Sequence, residues 1–263
     1  MIARRLCLLW LCAASAFAFA AHAADGSAPA RGNLPADPLN SPSWKYMRER
    51  FLGSDPVLFD ARVQVDLPPA AEDQAQVPVM VRAPDLQDVE TVLVFADLNP
   101  LPKILQYTPL QASSDIGFRF KVEQSTPVRA AMRTRDGVWH VGGAWLRAAG
   151  GGCTAPSLGT GQGLWQNRLG EVSARLWPRD TRSERLRFRV IHPMDTGLAS
   201  GIPAFHLDRI DMLDEHGALL ASLQTFEPVS ENPVISVDLR SAGKLQLQAR
   251  DIQGNRFSAQ VAP

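Results

Sequence analysis

Apolar and polar residues alternate with a period of two over most of this chain, and one short stretch departs from it. Trp44, Met47 and Phe51 recur at helical spacing, Ser41 or Ser43 can cap the start, Pro42 suits a first turn and Gly53 can stop it. From Val57 onward the period is that of strands. Ala61, Val63, Val65 and Leu67 alternate with Arg62, Gln64 and Asp66; Val77, Val79 and Val81 follow. Thr91 to Ala96 is a continuous apolar run, as in a buried central strand. Phe118, Phe120 and Val122 alternate with Arg119, Lys121 and Glu123, and Val128 to Val141 breaks at Asp136-Gly137, a hairpin signal. After a glycine-rich stretch the pattern restarts with Leu186, Phe188 and Val190. It continues through Ile210 and Met212, Ile235 to Leu239, Leu245 to Ala249 and Phe257 to Val261. The expectation is an all-β protein: two antiparallel β-sandwich domains joined by a Gly-rich linker, with a short N-terminal helix.

The N-terminus reads differently. Arg4 and Arg5 precede an apolar run, Leu6 to Phe19, too short to span a bilayer, and Ala21-His22-Ala23 fits a small-residue cleavage site. Residues 1–23 are therefore expected to be a signal peptide cleaved near Ala23, which places the mature protein in the periplasm, without a membrane anchor. Residues 24–41 form a Pro/Gly-rich flexible leader. The first sandwich with its helix is placed at 42–148, the linker at 149–170 and the second sandwich at 171–263. The chain carries 27 basic and 27 acidic residues, and loss of Arg4 and Arg5 leaves 25 against 27. That balance offers nothing to nucleic acid.

Charge and pattern leave one candidate reactive group. Cys7 and Cys12 lie in the signal, so the mature chain keeps one thiol, Cys153, behind Gly150, Gly151 and Gly152. Three glycines suggest a flexible arm, and an unpaired thiol in an oxidising compartment is a liability unless used. The bland reading is a small packing residue or an intermolecular disulfide. About four residues separate Cys153 from the last strand of the first sandwich, a reach of ~14 Å at full extension. An exposed thiol there would keep an ordinary pKa near ~8.5. No phosphate loop, dinucleotide fingerprint or serine elbow occurs. No metal site is expected, His206 and Asp208 being the one weak pairing, and no cofactor is expected.

Several stretches carry a family resemblance. Val77-Pro78-Val79, Val92 to Asp97 leading into Leu98-Asn99-Pro100-Leu101-Pro102, and a strand pair ending in Gly150-Gly151-Gly152-Cys153 resemble the SoxY sulfur-carrier subunit. His192-Pro193-Met194-Asp195-Thr196-Gly197, Glu231-Asn232-Pro233 and Gly243-Lys244-Leu245 to Gly254 resemble its partner SoxZ. The order Y then Z in one chain is similar to the fused SoxYZ-like carriers associated with quinoprotein (PQQ) alcohol dehydrogenases. The resemblance implies immunoglobulin-like sandwiches and a non-enzymatic role: Cys153 would hold a thiol-linked intermediate, sulfur foremost, and present it to periplasmic redox enzymes of a Sox-type or quinoprotein system. The sequence departs from the family in two respects. Thr154-Ala155 stands where Gly-Gly follows the family cysteine, and the arm is tied at both ends. The competing function is a non-covalent accessory or binding module for a quinoprotein dehydrogenase; a thiol enzyme would need a base that the neighbouring sequence lacks. The Y-like and Z-like domains are expected to pair, within one chain or by self-association.

Overall fold

The computed structural model describes residues 36–157, 165–240 and 243–262. The signal peptide, most of the leader and part of the linker lie outside these residues. Helix α1 (Trp44–Phe51) turns its Trp44 and Met47 inward, and Gly53 follows it with a φ of 65°, the left-handed geometry that ends helices cheaply only at glycine. The first half then contributes β1 (Val57–Phe59), β2 (Gln64–Asp66), β3 (Val77–Arg82), β4 (Val89–Ala96), β5 (Lys103–Thr108), β6 (Ala112–Phe120), β7 (Thr126–Thr134) and β8 (Trp139–Leu146). The second contributes β9 (Val172–Pro178), β10 (Ser183–Val190), β11 (Leu207–Asp214), β12 (Leu219–Thr225), β13 (Val234–Arg240), β14 (Leu245–Asp251) and β15 (Arg256–Val261). The Asp136-Gly137 hairpin joins β7 to β8, with Gly137 at φ 85°.

The two halves share both sheets. A nine-stranded sheet runs β1-β8-β7-β4-β5-β12-β11-β14-β15, and a six-stranded sheet runs β2-β3-β6-β13-β10-β9. Each sheet crosses from first half to second at an antiparallel seam. In one, Leu223 of β12 pairs with Tyr107 of β5; in the other, Ser236 of β13 pairs with Gly117 of β6. Among the described residues all ladders are antiparallel except β1–β8, a short parallel pair at the sheet edge that the alternation did not foretell. Val92, Phe118 and Phe120 from the first half and Leu186, Leu223 and Val237 from the second belong to one apolar cluster between the sheets. Burial of that common core holds the halves together. A second cluster, built by Trp44, Met47, Phe95 and Trp139, lies between α1 and the outer face of the nine-stranded sheet.

Candidate functional site

Cys153 lies where β8, the end of β6 and a loop of the second half converge. After β8 the chain stays tied for two residues: Arg147 N–H donates to Pro69 O at 3.2 Å and Ala148 N–H to Ser125 Oγ at 3.0 Å. The segment Ala149–Gly152 then crosses the strand extension Lys121–Glu123. Gly150 and Gly151 have φ of 113° and 91°, which an L side chain would strain. Gly152 is needed for close approach instead: a Cβ there would lie 2.1 Å from Gln74 O and 2.5 Å from Val122 O. The glycines thus let the arm lie down, and the expected exposed tether is corrected. Gly152 and Cys153 are buried, Cys153 completely.

Polar groups hold the arm there. Glu123 accepts from the N–H groups of Gly151 (3.2 Å), Cys153 (3.0 Å) and Thr154 (3.2 Å), and from Thr154 Oγ1 (3.1 Å). Four donors on one carboxylate form a clamp, each bond strengthened by the negative charge. Asn99 ties the floor together: its Nδ2 donates to Lys121 O (3.0 Å) and approaches Cys153 Sγ (3.6 Å), while its Oδ1 accepts from Glu123 N–H (2.9 Å). The thiol itself points at Lys121 O, 3.5 Å away. The Leu98–Pro102 segment, one of the stretches that carry the SoxY resemblance, therefore supplies a residue of the site.

The second half closes the site. Thr196 Oγ1 donates to Cys153 O at 2.5 Å, and Asp195 Oδ1 accepts from Ser157 N–H at 3.2 Å. Met194 adopts φ 52°, unusual for a non-glycine residue, and its carbonyl accepts a hydrogen bond from the buried Lys121 ammonium. Behind this loop His192 Nδ1 accepts from Met194 N–H at 3.1 Å, which puts the ring proton on Nε2, 3.6 Å from Asp251. Burial holds His192 down to about 4, so the ring is neutral at neutral pH. Asn232 Oδ1 accepts from His192 N–H at 3.1 Å. The His192–Gly197 and Glu231–Pro233 stretches, singled out in the sequence, are thus the cap over Cys153 and its support. His206 and Asp208 do not converge. His206 Nδ1 donates to Leu207 O at 2.8 Å, whereas Asp208 pairs with Arg250.

The electrostatics suit a stored thiol. Burial, and then the nearby Glu123 carboxylate, push the Cys153 thiol up to about 12, with Lys121 and Asn99 pulling weakly the other way. The ordinary value expected for an exposed thiol is corrected accordingly. Burial also lowers Lys121, and its ammonium faces Asp195, Cys153 and Glu231. In this closed arrangement the sulfur is a neutral thiol and a poor nucleophile.

Two family descriptions match the chain: Sulfur oxidation protein SoxY over residues 48–153 and Sulphur oxidation protein SoxZ over residues 179–262. The SoxY match ends on Cys153 itself. No curated protein matches the sequence. Among solved structures, the sulfur carrier protein SoxY from Chlorobium limicola f thiosulfatophilum is similar at 17% identity and a TM-score of 0.37, over 41% of this chain and 96% of that one. With SoxY and SoxZ regions in one polypeptide, the chain belongs to the fused SoxYZ-like sulfur carriers. Among the described residues no helix is long and apolar enough to cross a membrane.

Proposed function

We propose that Cys153 is the carrier thiol of a periplasmic sulfur shuttle, and that the structure is its closed state. In this reading Gly150, Gly151 and Gly152 form the hinge. A partner redox enzyme draws the arm out, the thiol regains an ordinary pKa in solvent, and the cargo is attached or removed there. The observation that carries the reading is how Cys153 is held. Glu123, Thr196 and Asp195 grip the backbone of residues 151–157 through hydrogen bonds, which water can replace when the arm leaves. The sulfur lies against Asn99 Nδ2 and Lys121 O, neither able to take its proton, which suits a carrier that its partner activates. The chain itself performs no catalysis in this reading.

One observation favours the second reading, a non-covalent accessory of a quinoprotein dehydrogenase: the thiol is fully buried and protonated. Intact mass measurement of protein purified from its native periplasm without reductant separates the two. A sulfur-containing adduct that maps to Cys153 and disappears on reduction is the expected result. A bare thiol, under conditions where the partner enzymes are active, would overturn the carrier reading.

A further inference from the structure

The outer face of the six-stranded sheet carries a charge pattern that the protein does not resolve within itself. In β10, Leu186, Phe188 and Val190 point into the core, so Arg185, Arg187 and Arg189 point out. Arg187 stands directly opposite Arg175 of β9, a like-charge cross-strand pair that costs stability rather than adding it. Across β13, Val234 and Ser236 lead to Arg119 and Gly117 of β6, and these small residues leave a shallow groove flanked by Arg119 and Arg187. The acids nearby are engaged, Asp115 by the Ala83 N–H at 3.1 Å and the others by arginines. Asp238 is held by Arg185 at 2.7 and 2.8 Å, Asp66 by Arg82, and Glu171, whose charge reaches Arg189, by Arg168 at 2.5 and 2.7 Å. Among the described residues no ion pair holds Arg119, Arg175 or Arg187. Basic and acidic residues balance over the chain, so this face is a segregation of charge rather than general basicity.

We infer that this face docks an acidic protein surface, that of an enzyme which services Cys153. The identity of the partner rests on the carrier reading above; the acidic chemistry does not. The groove is broad and open, which suits a protein surface better than a small ion. Arginine forks match carboxylates bidentately, and the interspersed Asp66, Asp115 and Asp238 disfavour a continuous run of phosphates. Position supports the assignment. Arg119 lies two residues before Lys121, whose carbonyl faces the thiol, and Arg189 lies three before His192, where the cap begins. A partner seated on the arginines stands beside the place from which the arm emerges.

A labelled decaglutamate peptide is the probe, titrated by fluorescence anisotropy at low ionic strength against the full mature chain. Binding is expected for the native protein, and R175E/R187E should weaken it at least about tenfold, while the equal charge change R135E/R256E, in the β7–β8 turn and on β15, should weaken it less than about twofold. Melting temperatures check that both variants fold. Should R175E/R187E fail to fold, R175Q/R187Q gives the same comparison with a smaller expected loss. Cys153→Ser protein should bind the peptide like the native chain, so failure of the carrier reading and failure of the docking inference are read separately. No binding to the native protein, equal binding to all variants, or binding of a DNA oligonucleotide or an anionic phosphatidylglycerol vesicle through these arginines in place of the peptide would overturn the inference.

Discussion

At the scale of single residues, burial first and then the Glu123 carboxylate raise the thiol's pKa, and Glu123 also holds the backbone on either side of it. Glu123→Gln keeps the size of the side chain but removes the charge and offers an NH2 group to the N–H donors of residues 151–154. Loss of a charge-assisted clamp of this kind costs about 1–3 kcal/mol, so the arm should open on the order of 10- to 100-fold more often, and iodoacetamide should modify native Cys153 faster by that factor. An unchanged rate would show that the clamp does not govern opening. The pH dependence has a defined sign. Burial pushes the closed thiol up to about 12, above an open thiol's ordinary value of ~8.5, so the closed state is fully favoured below that ordinary value and loses the advantage as pH rises toward about 12. The alkylation rate of the native protein should therefore keep climbing about tenfold per pH unit beyond the pH at which a free cysteine peptide levels off. A plateau shared with the peptide would mean an exposed thiol. Cys153 was legible in the sequence as the residue of interest, but its burial was not. Alternation places Lys121 and Glu123 on the outer face, and they are there; the arm itself lies on Glu123, while Lys121 and Cys153 are met by the Met194–Thr196 loop, some seventy residues from Lys121 in sequence.

At the scale of elements, the apolar pattern marks most of the strands: by alternation where one face meets the common core and the other solvent, and by a continuous run in β4, which α1 covers on its outer face; β5 and β9 it leaves unmarked. Short β1 escaped it, having too few residues to show a period and a parallel partner far along the chain. The composition before α1 predicts a flexible segment through residue 41, yet its end is anchored. Buried Arg129 of β7 donates to Asp97 at 3.0 and 3.1 Å and to Asp37 at 2.7 Å, and its guanidinium lies 4.5 Å from the Trp44 ring centroid. One cation thus pins residues 37–44 onto the nine-stranded sheet. Arg129→Met leaves two carboxylates there, Asp97 fully buried, without their counter-charge, and breaking such a pair costs about 3–5 kcal/mol. The variant should melt well below the native protein, and limited proteolysis should cut ahead of α1. Melting within a degree of the native protein would show that the anchor contributes nothing.

At the scale of the whole molecule, fusion changes what the two halves can do alone. The sequence signalled two sandwiches in the right order, since glycines and a change of pattern mark the break. It could not signal that strands 5 and 12, and strands 6 and 13, pair edge to edge, because backbone pairing leaves little trace in side-chain periodicity. Each seam removes an open strand edge from both halves. The cap over Cys153 is likewise made by one half for the arm of the other. A chain ending after residue 157, made without its second half, would expose the edges of β5 and β6 and the apolar residues next to them, the hazard that unpaired edges present. Its Cys153 would also lack Thr196 and Met194. The separate first half should therefore self-associate in analytical ultracentrifugation and react rapidly with iodoacetamide. Mixing it with residues 165–263 should restore a one-to-one complex and slow the thiol reaction towards that of the intact chain. A first half that stays monomeric, with its thiol already protected, would show that the closed site is the work of the SoxY-like half alone.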